Sequence, residues 1–171
     1  MKRKTFILFF TIFFIATLFA GTNEITDKLF TTLVIIEECQ NGDLSKESLV
    51  SDGIFDALWN KSDKIFFDMV IEKPFVMNKN EIDPSPFLKD AFNTGADSII
   101  LIKFNYTISE EKNGLLKITL DSFNYNVFSL TQAKPIIAGE KKLSYNELIE
   151  KNNKEKILRE LGTKIIDSIL K

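Results

Sequence analysis

The chain has 171 residues, with 22 basic and 24 acidic side chains, no histidine and a single cysteine. Without histidine the commonest general base, the serine-triad base and the commonest transition-metal ligand are missing, and one cysteine can form neither an intramolecular disulfide nor a structural zinc cluster. A small net negative charge argues against nucleic acid as a partner.

Lys2, Arg3 and Lys4 precede a continuous run of apolar residues and threonine from Phe6 to Ala20. Charge followed by such a run is the order of a secretory signal peptide, and the run is too short for a comfortable membrane span. The expected layout is a signal peptide over 1–20, cut after Ala20, and one exported domain over 21–171. The alternative is an uncleaved N-terminal anchor, the one way this chain would touch a membrane. Cys39 lies too deep to be a lipoprotein cysteine. Removing 1–20 leaves 19 basic against 24 acidic residues, a net charge of −5, on a domain long enough to bury most of its apolar surface. In an oxidising compartment Cys39 is either buried and inert beside an apolar strand or an intermolecular partner.

Leu29–Ile36 is short, apolar and β-branched and predicts a buried strand, followed by a turn at Asn41-Gly42-Asp43. Ser45 opens a predicted helix with Val50, Ile54, Ala57, Leu58 and Lys61 on one face and Gly53 as its weak point. Ile65–Ile71 reads as a second strand ended by Lys73-Pro74, and residues 72–84, with Asn78, Asn80 and Asp83, as a polar connection. Ser85-Pro86 predicts an N-cap and first helical residue. The apolar face of that helix is Phe87, Leu88, Ala91 and Phe92, and Gly95 is its left-handed end.

Ser98–Ile108 is the clearest strand, placing Ile102, Phe104, Tyr106 and Ile108 on one side. Asn113-Gly114 predicts a hairpin with both turn residues at positive φ. The next strand carries Leu116, Ile118 and Leu120, then Phe123, Tyr125 and Val127; the change of phase predicts a β-bulge near Asp121-Ser122. A fifth strand runs from Pro135 to Leu143. The tail predicts a helix with Leu158, Leu161, Ile165 and Ile169 against the sheet and Lys156, Arg159, Lys164 and Asp167 exposed. Its start is either a Ser144/Glu147 capping box or a cap at Asn153, and its charge spacing predicts i,i+4 pairs from Glu147–Lys151 through Asp167–Lys171. The fold class is α/β (α+β): a mixed sheet of about five strands, the last three an antiparallel meander, with two to three helices packed on it.

No phosphate loop, dinucleotide fingerprint or EF-hand series can be written from this chain, so no cofactor, metal site or catalytic residue is assigned. Glu37-Glu38 and Glu110-Glu111 are the carboxylate pairs that a cell-wall glycan hydrolase would need. Being adjacent, the members of each pair point to opposite faces of a strand, and they read as solvated charges at strand ends and turns. Phe66, Phe67, Phe104 and Phe123 read as core rather than as a pocket for a small ligand. Trp59 stands at the end of the first helix and is either core or a partner contact, tryptophan being favoured in interface hot spots. Asn60-Lys61-Ser62 and Asn105-Tyr106-Thr107 are formal glycosylation sequons and read as accidents of composition.

The segments 52–70, 86–106, 134–144 and 160–170, with the Asn113-Gly114 hairpin between them, resemble the TolB N-terminal-like fold. This fold is shared by CsgG-like secretion proteins and LpoB-like activators of penicillin-binding proteins. The sharpest match is Gly95-Ala96-Asp97 before an apolar strand. The lipobox cysteine of the activators and the membrane-spanning hairpins of CsgG have no counterpart here. The resemblance implies a non-enzymatic periplasmic or otherwise exported envelope protein that binds a protein partner in an accessory or scaffold role. The readings from other classes are a carboxylate-based glycan hydrolase and a small-ligand-binding periplasmic module.

Overall fold

A computed structural model describes residue 29 and residues 31–61, 65–69 and 74–171. The expected signal peptide, its cut after Ala20, Val70–Lys73 and the side chain of Lys61 lie outside the described residues. Among the described residues, eight strands and three α-helices occur in the order β1 (Thr31–Gln40), β2 (Asp43–Leu44), α1 (Leu49–Lys61), β3 (Ile65–Met69), β4 (Met77–Asn78), β5 (Glu81–Ile82), α2 (Leu88–Asn93), β6 (Ser98–Glu110), β7 (Leu116–Ser129), β8 (Lys134–Ile149) and α3 (Lys154–Leu170). The architecture is the expected mixed sheet with helices. Six strands form the main sheet in the order β2-β1-β6-β7-β8, with β3 also on β1, and β4-β5 form a separate two-stranded ribbon. β1 is parallel to β3 and β6, and β6, β7 and β8 form the predicted antiparallel meander.

One face of the sheet carries α1 and α3. Val34, Ile100, Ile102, Phe104, Tyr106, Ile118, Leu120, Phe123, Tyr125 and Val127 meet Val50, Ile54 and Leu58 of α1 and Leu158, Leu161, Ile165 and Ile169 of α3 in one core. All four residues of the predicted α3 stripe are buried, while Lys156 and Lys164 are exposed. Arg159 and Asp167 are only half-exposed, a correction that for Arg159 reflects its bonds to α1. On the opposite face Leu33, Ile35, Ile99 and Leu101 are covered by Phe75, Ile82 and Ala91. The two covers explain the pattern of β6. Its first residues are buried on both faces and read as a continuous apolar run, and beyond the second cover it alternates.

Several expectations are corrected. β1 runs four residues beyond Ile36, because Glu37 and Glu38 are buried rather than solvated. α1 begins at Leu49, not Ser45, whose hydroxyl instead accepts the Ser48 N–H at 3.4 Å. Residues 74–84 are not merely a polar connection: they form the β4-β5 ribbon and bury Phe75 and Ile82. Ser85 gives no side-chain cap; Pro84 stands in the capping position of a short 3-10 turn, and the Asp83 carboxylate accepts the Ser85 N–H at 2.9 Å. Phe92 is 80% exposed, because at six residues α2 has room for one buried contact, Ala91.

The predicted β6–β7 hairpin is present, but Asn113 lies outside the positive-φ set and only Gly114 takes a positive φ, of 78°. A five-residue connection replaces the two-residue turn, closed by Glu111 N–H to Leu115 O and Gly114 N–H to Glu111 O. The two-residue Asn-Gly turn with both φ positive is at Asn41-Gly42, between β1 and β2 (54° and 92°). The β7 bulge lies where the change of phase put it, between Thr119 and Phe123, which pair with Thr107 and Phe104 of β6 one residue out of step. β8 continues to Ile149, removing the Ser144/Glu147 capping box. Pairing with Leu116–Leu120 and burial of Tyr145 and Ile149 outweigh the local helix signals. The helix starts after Asn153, without a side-chain cap bond. Glu147 therefore meets Lys164 (3.3 Å) instead of Lys151, while Lys151 meets Glu110 and Lys154 meets Glu47. Glu155–Arg159 is an intrahelical pair that forms as expected. No helix among the described residues is long and apolar enough to cross a membrane.

Candidate functional site

The end of β1 sends two adjacent carboxylates to the two faces of the sheet, as strand geometry requires. Glu37 is 2% exposed and Glu38 is 4% exposed. A buried carboxylate persists only when its oxygens are bonded, and both of these are. Glu38 faces the helices. It accepts the backbone N–H of Ser51 (2.8 Å) and of Val50 (3.4 Å), the Ser51 hydroxyl (2.6 Å) and the Tyr106 hydroxyl (3.1 Å). Val50 and Ser51 lie in the first turn of α1, whose N–H groups have no partner within the helix, so Glu38 caps α1 from a neighbouring strand. Burial, and secondarily the negative Glu38, holds the Tyr106 phenol well above its ordinary pKa.

Glu37 faces the other way. One oxygen lies 2.6 Å from Lys103 Nζ, and the other accepts the Phe75 N–H. Cys39 is half-buried, and its Sγ lies 4.0 Å from Glu37 Oε1. Burial first, then the charge of Glu37, raises the thiol pKa, the opposite of what activates a cysteine. Of the two alternatives for Cys39, full burial is not met: the residue lies where β1 meets the short β2 and is half-buried.

A glycoside hydrolase needs two carboxyls facing each other across a cleft, roughly 5–9.5 Å apart. The two buried carboxylates here lie on opposite sides of a sheet and are held by backbone and side-chain donors. Glu110 bridges to Lys151, more than half exposed on both sides, and Glu111 belongs to the hairpin loop. No group of three potential metal ligands occurs among the described residues. Of the phenylalanines expected in the core, Phe66, Phe104 and Phe123 are buried. Phe67, on the edge strand β3, is 39% exposed, a correction to its expected place. An open cleft of about 760 Å³ lies between the β4-β5 turn and β8, lined by Asn78, Lys79, Asn80, Glu81, Gly139 and Glu140.

Trp59 is 65% exposed and is therefore not part of the core. It lies on the outward stripe of α1, one turn beyond Asp56 and two beyond Asp52. Arg159 of α3 joins both aspartates at 3.0 Å and holds that stripe against α3. The apolar residues of the α1 inner face, Val50, Ile54, Ala57 and Leu58, are all buried. What the sequence could not signal is the role of Glu37 and Glu38: apart from Cys39, the donors that hold them are more than ten residues away in the chain.

No family model and no curated protein sequence matches the chain. Among solved structures it is similar to the PelC dodecamer from Paraburkholderia phytofirmans, at TM-score 0.46 and 6% identity, over 82% of this chain and 88% of that one. It is similar to the LpoB C-terminal domain from Salmonella enterica, at TM-score 0.45 and 10% identity, over 76% of this chain and 92% of that one. The lipoprotein GNA1162 from Neisseria meningitidis gives TM-score 0.42 and 13% identity, over 81% and 97%.

Proposed function

We propose that the chain is an exported cell-envelope protein that acts by binding a protein partner, in an accessory or scaffold role and without chemistry of its own, and that Trp59 is part of the contact. In this reading residues 1–20 are the signal peptide and 21–171 one domain. The resemblance to TolB N-terminal-like, CsgG-like and LpoB-like domains belongs to the same reading. The observation that carries it is the exposure of Trp59. A tryptophan left in water on a helix whose inner apolar face is satisfied forgoes a large hydrophobic gain. Trp is enriched among interface hot spots because burying it on binding recovers that gain. The arrangement of Glu37 and Glu38 supports the absence of carboxylate chemistry, since each is engaged as a structural acceptor on its own face.

The test places a photo-crosslinking side chain at position 59 of the full chain in its native cells, with position 89 as an exposed control. A defined adduct with one envelope protein at position 59, weak or lacking at position 89, is the expected result. Identical adduct patterns at the two positions would overturn the reading.

A further inference from the structure

Residues 74–93 lie across the sheet face opposite α1 and α3. They bury Phe75, Ile82 and Ala91 against Leu33, Ile35, Ile99 and Leu101, a much smaller core than the one on the helical face. The β4-β5 ribbon inside this segment pairs with itself and not with the main sheet. Among the described residues, the hydrogen bonds of the 74–93 segment to the sheet come from sheet side chains to its backbone. Glu37 accepts the Phe75 N–H, Asn124 donates to Asn80 O at 2.9 Å, and Asn126 donates to Ile82 O at 2.9 Å. Asn126 is 2% exposed, and among the described residues its Oδ1 has no hydrogen-bond partner. Glu37 is the charged member of the set, and Lys103 braces it at 2.6 Å.

We propose that residues 74–93 form a cover that opens as one unit from the sheet, with the Glu37 carboxylate, braced by Lys103, as its latch. Among the described residues, opening breaks a small core and three side-chain tethers. It leaves the main sheet's backbone ladders and the α1–α3 core intact, which is the condition for a sub-global opening. The strip it uncovers, Leu33, Ile35, Ile99 and Leu101, is apolar. Glu37→Gln keeps an acceptor for the Phe75 N–H but removes the charge that Lys103 braces, and so weakens the latch without changing the size of the side chain. The proposal does not depend on Trp59 or on a partner.

Hydrogen exchange of the full chain, followed by mass spectrometry on peptides from 74–93, 49–61 and 154–170, tests this. In the unsubstituted protein the 74–93 amides should exchange together and faster than those of α3. Glu37→Gln should speed them at least tenfold with α3 unchanged. Glu38→Gln, on the opposite face of the same strand, should speed α1 and leave 74–93 unchanged. Exchange of 74–93 at the α3 rate in the unsubstituted protein would overturn the cover. An equal acceleration of all three segments in Glu37→Gln, or none in 74–93, would overturn the latch.

Discussion

Gly162 of α3 lies directly on Gly53 of α1: a methyl group added at Gly162 would stand 3.0 Å from the Gly53 carbonyl carbon and 2.8 Å from Ile54 N, and would collide with Val50 O. A methyl group at Gly53 would meet the backbone of Arg159, 2.6 Å from its Cα. The two helices cross backbone to backbone, and Gly53, expected from the sequence to weaken α1, is what permits the crossing.

Replacing either glycine by alanine should therefore destabilise the protein, although alanine is the better helix former by about 1 kcal/mol. Overpacking against a backbone costs typically about 1–3 kcal/mol. Urea unfolding of Gly162→Ala should show a midpoint well below the unsubstituted protein; a higher midpoint would mean that helix propensity wins and the crossing is loose.

The two glutamate pairs look alike in sequence and should behave differently on substitution. Glu38→Ala takes the acceptor from two helix N–H groups and the Ser51 hydroxyl, and leaves the Tyr106 hydroxyl with Gln40 Oε1 at 3.3 Å, at a cost of about 1–3 kcal/mol or more. Glu110→Ala removes a bridge more than half exposed on both sides and should change stability by no more than about 1 kcal/mol. Equal midpoints for the two variants would contradict the assignment of Glu38 as the cap of α1.

Leu161 is fully buried and Lys164, three residues on, is exposed with its Nζ 4.6 Å above the Tyr145 ring. Leu161→Ala should cost about 2–5 kcal/mol, whereas Lys164→Ala should cost no more than about 1 kcal/mol. Thermal or urea unfolding of the two variants separates a packed α3 from a loosely docked one, for which the costs would be similar.

Each of the three tyrosines, Tyr106, Tyr125 and Tyr145, has its phenol pKa raised chiefly by burial. A folded pKa above the unfolded value of 10.0 stabilises the fold fully below that pH, and the contribution is lost as pH rises beyond it. Tyrosinate absorbance should therefore stay low until the protein unfolds in alkali, both transitions falling together above about pH 10. Ionisation of one tyrosine near pH 10 with the fold intact would show that residue to be solvated.

Where a residue's fate depended on near neighbours in the chain, it was legible. The phase change between Leu120 and Phe123 places the β7 bulge, the stripe of Leu158, Leu161, Ile165 and Ile169 places the packed face of α3, and Gly95 at φ +71° ends α2. Where distant partners competed with a local signal, the local signal lost. Ser144 and Glu147 could start a helix, but pairing with β7 keeps them in a strand, and Asn113-Gly114 yields to a longer connection although the hairpin stands.

By itself the sequence determined the α/β class, the meander, the amphipathic closing helix and the lack of histidine-based or multi-cysteine chemistry, because periodicity and residue inventory are local or additive properties. Tertiary structure alone decided that Glu37 and Glu38 are buried, that Gly53 and Gly162 meet, that Trp59 is left in water and that residues 74–93 cover a second apolar face. Each of these depends on donors, backbone or apolar surface brought from far along the chain. Burying a carboxylate is tolerable only where such donors converge, and a sequence does not display that convergence.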